Sequence, residues 1–265
     1  MPRSKNIRLK KKFGQHFLRD KNITRSAINH VSINSETSIF EIGCGDGFLT
    51  REILATDAAR LWVFEIDPEW AKYIEKEFGS DGRLTVFEQN ILDVDFSSFQ
   101  EHKPWTLLAN LPYQVTFPIL YMLQRNRHLL AEGVVMVQEE VAQKILKTGG
   151  RGYGYPSLFL QHYFDWKLLN KVSPSSFYPP PKVFSRLLYF KLKEVVQMIP
   201  NEQRFWKFIK ICFRQPRRTL KNNLAQSHFD FSQIEESMLG LRAQQLKIDD
   251  FLSLWSVLSA SDSPA

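Results

Sequence analysis

Ser38-Ile39-Phe40-Glu41-Ile42-Gly43-Cys44-Gly45-Asp46-Gly47 decides the fold. The first five residues form a short apolar run, the composition of a buried strand. That run leads directly into glycines, and helical spacing takes over from Phe48 to about Ala55. Strand, glycine turn and helix in this order are the layout of a nucleotide site in an α/β sheet. Glycines at 43 and 45 permit positive φ and let a ligand lie against bare backbone. Asp46 is placed either to cap the helix or to accept from that ligand.

Working outward, Leu61-Trp62-Val63-Phe64 reads as a second strand that ends at Glu65-Ile66-Asp67. Glu65 follows the glycines by about 20 residues, where a second-strand carboxylate can accept both hydroxyls of an adenosine ribose. A dinucleotide dehydrogenase would need a third glycine three residues after Gly45, and Phe48 stands there. Thr85-Val86-Phe87 makes a third strand, after which Asn90 is either a contact to a cofactor adenine or a turn asparagine. Further apolar runs at 105–109, 133–137 and 186–190 extend an α/β sheet wrapped by helices up to about Lys191. Beyond Pro200 the spacing turns helical, with Phe205, Phe208, Ile209 and Cys212 on one face and later Ile248, Leu252, Trp255 and Leu258. The expected organisation is a catalytic domain over 1–195, carrying a basic N-terminal arm, and a small all-helical domain over 200–265. Residues 147–154 read as a mobile glycine-rich loop near the partner, and residues 259–265 as a frayed tail.

The run at 105–109 delivers Asn110-Leu111-Pro112-Tyr113 to the end of a buried strand. An amide oxygen, a main-chain carbonyl and an aromatic face at one corner suit the grip of a flat amino-purine. The adenine N6 lone pair is delocalised into the ring and is a poor nucleophile. Two acceptors, the Asn110 side-chain oxygen and the Leu111 carbonyl, can hold the amine as it turns pyramidal and favour charge that develops only in the transition state. Pro112 fixes its own φ and restricts Leu111 to extended conformations. Tyr113 supplies a stacking platform, worth about 1–3 kcal/mol per base in single-strand binders. The corner therefore points to methylation of an exocyclic base amine. On residues alone, a strand followed by a Pro-containing turn and a core tyrosine accounts for it too.

Seven blocks in order carry a family resemblance over nearly the whole chain. They are Gly14-Gln15-His16-Phe17-Leu18, Glu41-Ile42-Gly43-Cys44-Gly45, Glu65-Ile66-Asp67, Asn110-Leu111-Pro112-Tyr113, Val137-Gln138-Glu139-Glu140-Val141-Ala142, Phe177-Tyr178-Pro179-Pro180-Pro181-Lys182-Val183-x-Ser185, and Arg217-Arg218-Thr219-Leu220-Lys221-Asn222-Asn223-Leu224. The chain resembles the bacterial small-subunit ribosomal RNA adenine N6,N6-dimethyltransferases, the kasugamycin-sensitivity methyltransferases. The resemblance implies a Rossmann-like S-adenosylmethionine-dependent methyltransferase sheet with a C-terminal helical domain. It implies His16 and Leu18 at the methionine end of the cofactor, Gly43 and Gly45 beneath it, Glu65 on the ribose, Asn90 near the adenine and Asn110 between cofactor and target. Phe177 would be the second face of a sandwich with Tyr113 around a base flipped out of its RNA stack. Many relatives carry Asp where this chain has Asn90, and some carry Asn in place of His16. Pro216 also replaces the more usual residue, which bends or starts a helix there.

Composition agrees with an RNA partner. In 265 residues, 35 Lys and Arg against 28 Asp and Glu leave a net charge of +7, with a pI of about 9.3, as in nucleic-acid-binding domains. Arg3, Lys5, Arg8, Lys10, Lys11 and Lys12 crowd the N-terminal arm without an acid. Arg204, Lys207, Lys210, Arg214, Arg217, Arg218 and Lys221 share their stretch only with Glu202. Lys10, Lys11, Lys12, Arg214, Arg217, Arg218 and Lys221 are the expected phosphate contacts, which would make binding salt-sensitive. Two cysteines and unspaced histidines argue against a metal site. No run is long enough for a membrane span, and no secretory signal is present, so a cytoplasmic location is expected. The partner that the resemblance implies is small-subunit rRNA in a pre-ribosomal 30S particle, and a monomer is expected. Two alternatives stay open: a large-subunit adenine methyltransferase of the macrolide-resistance type, and a mainly non-catalytic ribosome-assembly factor.

Overall fold

The structure, a computed structural model, describes residues 3–5, 7–10, 13–225 and 227–260. It divides into two compact units, residues 1–142 with 164–192, and residues 143–163 with 193–265.

The first unit is built on a seven-stranded sheet. Its strands are β1 (Ser38–Ile42), β2 (Arg60–Glu65), β3 (Leu84–Glu88), β4 (Trp105–Asn110), β5 (Leu130–Gln138), β6 (Phe164–Val172) and β7 (Ser185–Leu192). Their order across the sheet is β3-β2-β1-β4-β5-β7-β6. The first five run parallel, and β7 is antiparallel to both of its neighbours. All five residues of β1 are buried, including Ser38 and Glu41. Strand order reverses at β1 and β4, so a crevice opens at their carboxyl ends.

Helices α1 (Lys21–Ile28), α2 (Phe48–Leu54), α3 (Pro68–Phe78), α4 (Thr116–Arg125) and α5 (Glu139–Ile145) accompany the sheet. The start of α3 follows from its sequence: Asp67 accepts from the Glu69 backbone N–H, and Pro68 occupies the first turn, where no N–H is required. One hydrophobic cluster joins Ile39, Val63 and Leu108 of the sheet to Ile53 of α2 and Ile74 of α3. Elsewhere Phe40 meets Phe99 and Trp105 edge-on, with ring centroids 5.4 and 6.2 Å away. Among the described residues no helix is long and apolar enough to cross a membrane.

The second unit holds α6 (Tyr155–Tyr163), α7 (Glu202–Cys212), α8 (Leu220–Leu224), α9 (Glu236–Leu239) and α10 (Ile248–Ala260). The division of the chain differs from the expected boundary at 195–200, because residues 143–163 belong with the C-terminal helices. Trp206 of α7 explains this. Its indole meets Phe159 edge-on at 4.9 Å and donates to the Tyr163 hydroxyl at 2.9 Å. The glycine-rich stretch 147–154 is likewise anchored rather than loose. Gly150 N–H donates to the Gln244 carbonyl, and the buried Tyr153 ring packs edge-on against Phe213. The buried face of α10 is Phe251, Leu254, Trp255 and Leu258, so Leu252, expected on this stripe, lies one position off it, and Phe251 takes its place. Residue 259 is within α10, and residues 261–265 lie outside the described residues. Pro216 stands in the turn between α7 and α8 and starts neither.

Candidate active site

The crevice is a cavity of about 330 Å³, lined from the ends of β1, β2, β3 and β4 and from residues 13–17. His16, Gly43, Gly45, Glu65, Asn90, Asn110, Leu111, Pro112 and Tyr113 all line it. Gly43, at φ +74°, would point a β-carbon at nothing within 4 Å. Bare backbone therefore faces open space, as a cofactor pressed against the turn requires. Gly45, at φ +51°, is closed instead by the Phe17 ring, 2.7 Å from where its β-carbon would be. The turn is tied to β2 by Gly43 N–H donating to the Phe64 carbonyl at 2.9 Å. Gly47 caps α2 in a left-handed conformation without a side-chain bond. Asp46, expected to cap that helix or meet a ligand, instead pairs with Arg19 at 2.6 Å and accepts from Ser4.

Glu65 is buried at the end of β2. One of its oxygens accepts from Asp67 N–H at 2.9 Å, the other from Gly45 N–H at 3.1 Å. Burial raises its pKa above the ordinary glutamate range, and these N–H groups oppose the rise. The carboxylate is thus held rigidly, with its remaining lone pairs available to the hydroxyls of a ribose. Beneath the turn, Glu41 accepts from the Thr50 hydroxyl at 2.7 Å, and burial pushes its pKa up to about 8. It is therefore an acid held neutral near pH 7.

The corner at 110–113 is oriented by long-range contacts. Asn110 directs its amide nitrogen at the His16 main-chain carbonyl, 3.1 Å away. A carbonyl only accepts, so that nitrogen is fixed as the donor and the amide oxygen is left to accept. Leu111 N–H is spent on the Met136 carbonyl at 3.1 Å. Pro112 holds φ −60° and ψ 128° ahead of the turn that Tyr113 begins. The Tyr113 hydroxyl shares a 2.6 Å bond with Ser185 of β7, and burial raises its pKa, so it stays neutral. The His16 ring stacks on Tyr113 at 5.8 Å with 24° between planes, while its Nδ1 donates to the Pro179 carbonyl at 2.8 Å.

Several expected residues are placed differently. Phe177 does not line the cavity; it is 4% exposed, pairs its backbone with Leu18 and sits in the hydrophobic core. The ring stacked on Tyr113 is His16. Phe177→Ala is accordingly expected to cost about 3–5 kcal/mol of stability, as buried aromatic truncations do, measured by denaturant unfolding of the two proteins. Leu18 lines an adjoining pocket of about 50 Å³ that shares Phe17, Gly43, Gly45 and Asn110 with the larger cavity. Asn90 lines the main cavity but also caps the turn 91–93. Its oxygen accepts from Leu92 N–H at 3.2 Å and its nitrogen donates to Asp93 at 2.9 Å.

Lys10 is committed to an ion pair at 2.6 Å with Asp67, whose side chain is fully buried. It anchors the arm to the start of α3 rather than standing open to phosphate. Lys11 and Lys12 lie outside the described residues. Arg214, Arg217 and Arg218 are exposed, and Lys221 forms a surface pair with Glu236. Among the described residues no group of three or more His, Cys, Asp or Glu could hold a metal. Phe13, Ile66, Gln89, Gln114, Val115 and Ile119 also line the cavity and were not anticipated. For Ile66 and Gln89 a signal existed, since each directly follows the carboxyl end of a parallel strand, β2 and β3, on the edge of the sheet where the crevice opens.

Sheet order and crevice position together define the class, a Rossmann-like S-adenosylmethionine-dependent methyltransferase. Within it, the chain belongs to the ribosomal RNA adenine dimethylase family, whose model matches residues 6–259. It is 39% identical over 250 residues to ribosomal RNA small subunit methyltransferase A of Chlorobium phaeobacteroides, covering 94% of this chain and 91% of that one. The corresponding protein of Chlorobium luteolum is 36% identical over 262 residues, 97% and 94% of the two chains. A dimethyladenosine transferase from Plasmodium falciparum superposes with a TM-score of 0.79 at 25% identity, over 92% of this chain and 98% of that one. The 23S rRNA methyltransferase ErmE shares the fold, with a TM-score of 0.70 at 21% identity over 92% and 99%.

Proposed function

We propose that this chain transfers methyl groups from S-adenosylmethionine to N6 of two adjacent adenosines near the 3′ end of small-subunit ribosomal RNA, giving N6,N6-dimethyladenosine. The observation that carries the reading is the Asn110 amide, in a residue that lines the cavity, whose nitrogen is taken up by the His16 carbonyl and whose oxygen is thereby left to accept. When bound, the cofactor supplies an electrophilic sulfonium methyl group. Gly43 offers it bare backbone and Glu65 accepts from its ribose. Asn110 oxygen and the Leu111 carbonyl hold the two N6 hydrogens of the target, while Tyr113 supports the base by stacking. Positioning does most of the work, since effective molarity from alignment alone is large. The amine releases its proton only after it has become cationic, so no dedicated base is assigned. After one transfer a single hydrogen remains on N6, and one of the two acceptors suffices for the second.

Small subunits in a pre-ribosomal state are the proposed substrate, with the chain acting as a cytoplasmic monomer without a metal. The test is incubation with labelled S-adenosylmethionine and small subunits from cells lacking the modification, followed by mass-spectrometric mapping of the RNA. Dimethyladenosine at adjacent residues near the 3′ end is the expected result. Label confined to large-subunit RNA, or tight particle binding without label, would overturn it.

A further inference from the structure

The stretch from Tyr178 to Ser185 is tied at two points to the Tyr113 corner. Pro179 accepts from the His16 ring that stacks on Tyr113, and Ser185 bonds the Tyr113 hydroxyl. This stretch, Tyr-Pro-Pro-Pro-Lys-Val-Phe-Ser, contains no acid. It exposes Tyr178 at 44% and Phe184 at 46% to solvent. Single exposed aromatics are ordinary, but two on eight residues joined to a catalytic corner are not scattered at random. The backbone beneath Phe184 is fixed, because its carbonyl accepts from Glu139 N–H at 2.9 Å. Lys171 holds its ammonium over one face of the Phe184 ring, 4.4 Å from the centroid, so a base would stack on the opposite face, and Lys182 is exposed on the same stretch. Exposed rings with cations alongside match the chemistry of unpaired nucleotides, with π-faces on the bases and negative phosphates between them.

We propose that Phe184 and Tyr178 form a stacking platform for unpaired nucleotides flanking the target adenosine, with Lys171 and Lys182 meeting their phosphates. The inference rests on the proposed function, because it assumes an RNA substrate at the Tyr113 corner. It assigns these residues to holding the strand beside the reacting base, not to the transfer itself. Aromatic anchors of this kind would keep the strand engaged while one adenosine is exchanged for the next.

The test is methyl transfer to unmethylated small subunits over a range of subunit concentrations, for wild type and for Phe184→Ala, Phe184→Leu and Phe184→Trp. Circular dichroism melts check that each variant folds. Phe184→Ala is expected to raise KM for the subunit roughly tenfold, within the span of base–aromatic stacking, while kcat and cofactor affinity stay near wild type. Trp should restore KM and Leu should not, since only a π-face stacks on a base. Rescue by Leu would overturn the proposal in favour of an apolar protein contact. Unchanged KM in Phe184→Ala with active wild type would also overturn it, as would a concentration-dependent dimer in sedimentation that Phe184→Ala abolishes. A wild type that labels no small subunits removes the proposed function itself, and the platform with it.

Discussion

Asn110→Ala is expected to lower kcat by roughly 10²–10³-fold, the scale on which loss of one transition-state hydrogen-bond group is felt. RNA affinity should stay close to wild type. The asymmetry follows from when the interaction matters. The Asn110 oxygen meets an N6 hydrogen that becomes strongly polarised only as the nitrogen turns cationic, so its contribution belongs to the transition state rather than to ground-state binding. Asn110→Asp separates orientation from acceptor chemistry. It keeps an acceptor but loses the donor that faces the His16 carbonyl at 3.1 Å. A carboxylate cannot sit comfortably against a carbonyl oxygen, so the side chain should turn away and activity should fall nearly as far as in the alanine variant. Single-turnover transfer beside filter binding of the same particles measures both quantities. Equal loss of transfer and of RNA binding would remove Asn110 from the assigned role.

The second large effect concerns stability and pH. Glu41 is buried in β1 with a pKa raised to about 8 from 4.5, chiefly by burial. Between those values the unfolded chain has released the proton and the folded chain has kept it. Unfolding stability therefore declines with rising pH across this window and levels off above pH 8. At about 1.36 kcal/mol per unit, the full decline is on the order of 4–5 kcal/mol. Glu41→Gln keeps an acceptor for the Thr50 hydroxyl and removes the proton equilibrium. The variant should match wild type near pH 4, exceed it increasingly up to about pH 8, and keep a constant excess at higher pH. Urea titrations of both proteins at several pH values measure the difference. Parallel pH dependence in the two would show that Glu41 is ionised, or solvated, in the folded chain.

Much of the first unit was legible because its signals are local. β1 runs over 38–42 as read, since an apolar run ending in glycines is fixed by its own residues and by burial on both faces. The face of α7 made by Phe205, Phe208, Ile209 and Cys212 is buried as its spacing requires. β6 escaped notice because it is an edge strand. Asp165, Lys167, Asn170 and Lys171 face solvent along it, and an extra residue in β6 between Leu168 and Lys171, where its register against β7 shifts, interrupts the alternation.

By itself the sequence determined the cavity's main contributors: Gly43, Gly45 and Glu65 at the ends of the first two strands, and Asn110 and Tyr113 after β4. These follow from short-range rules, since a strand's end, a glycine's φ freedom and a proline's restriction need no distant partner. Tertiary structure alone decided how these groups are aimed. Asn110 takes its orientation from a carbonyl 94 positions away, Tyr113 from a hydroxyl 72 positions away, and Lys10 is claimed by Asp67 57 positions away. It also put Phe177 in the core and gave residues 143–163 to the helical unit. Side-chain hydrogen bonds and ring packing between such distant residues leave no periodicity in the chain, because they arise only when folding brings the partners together.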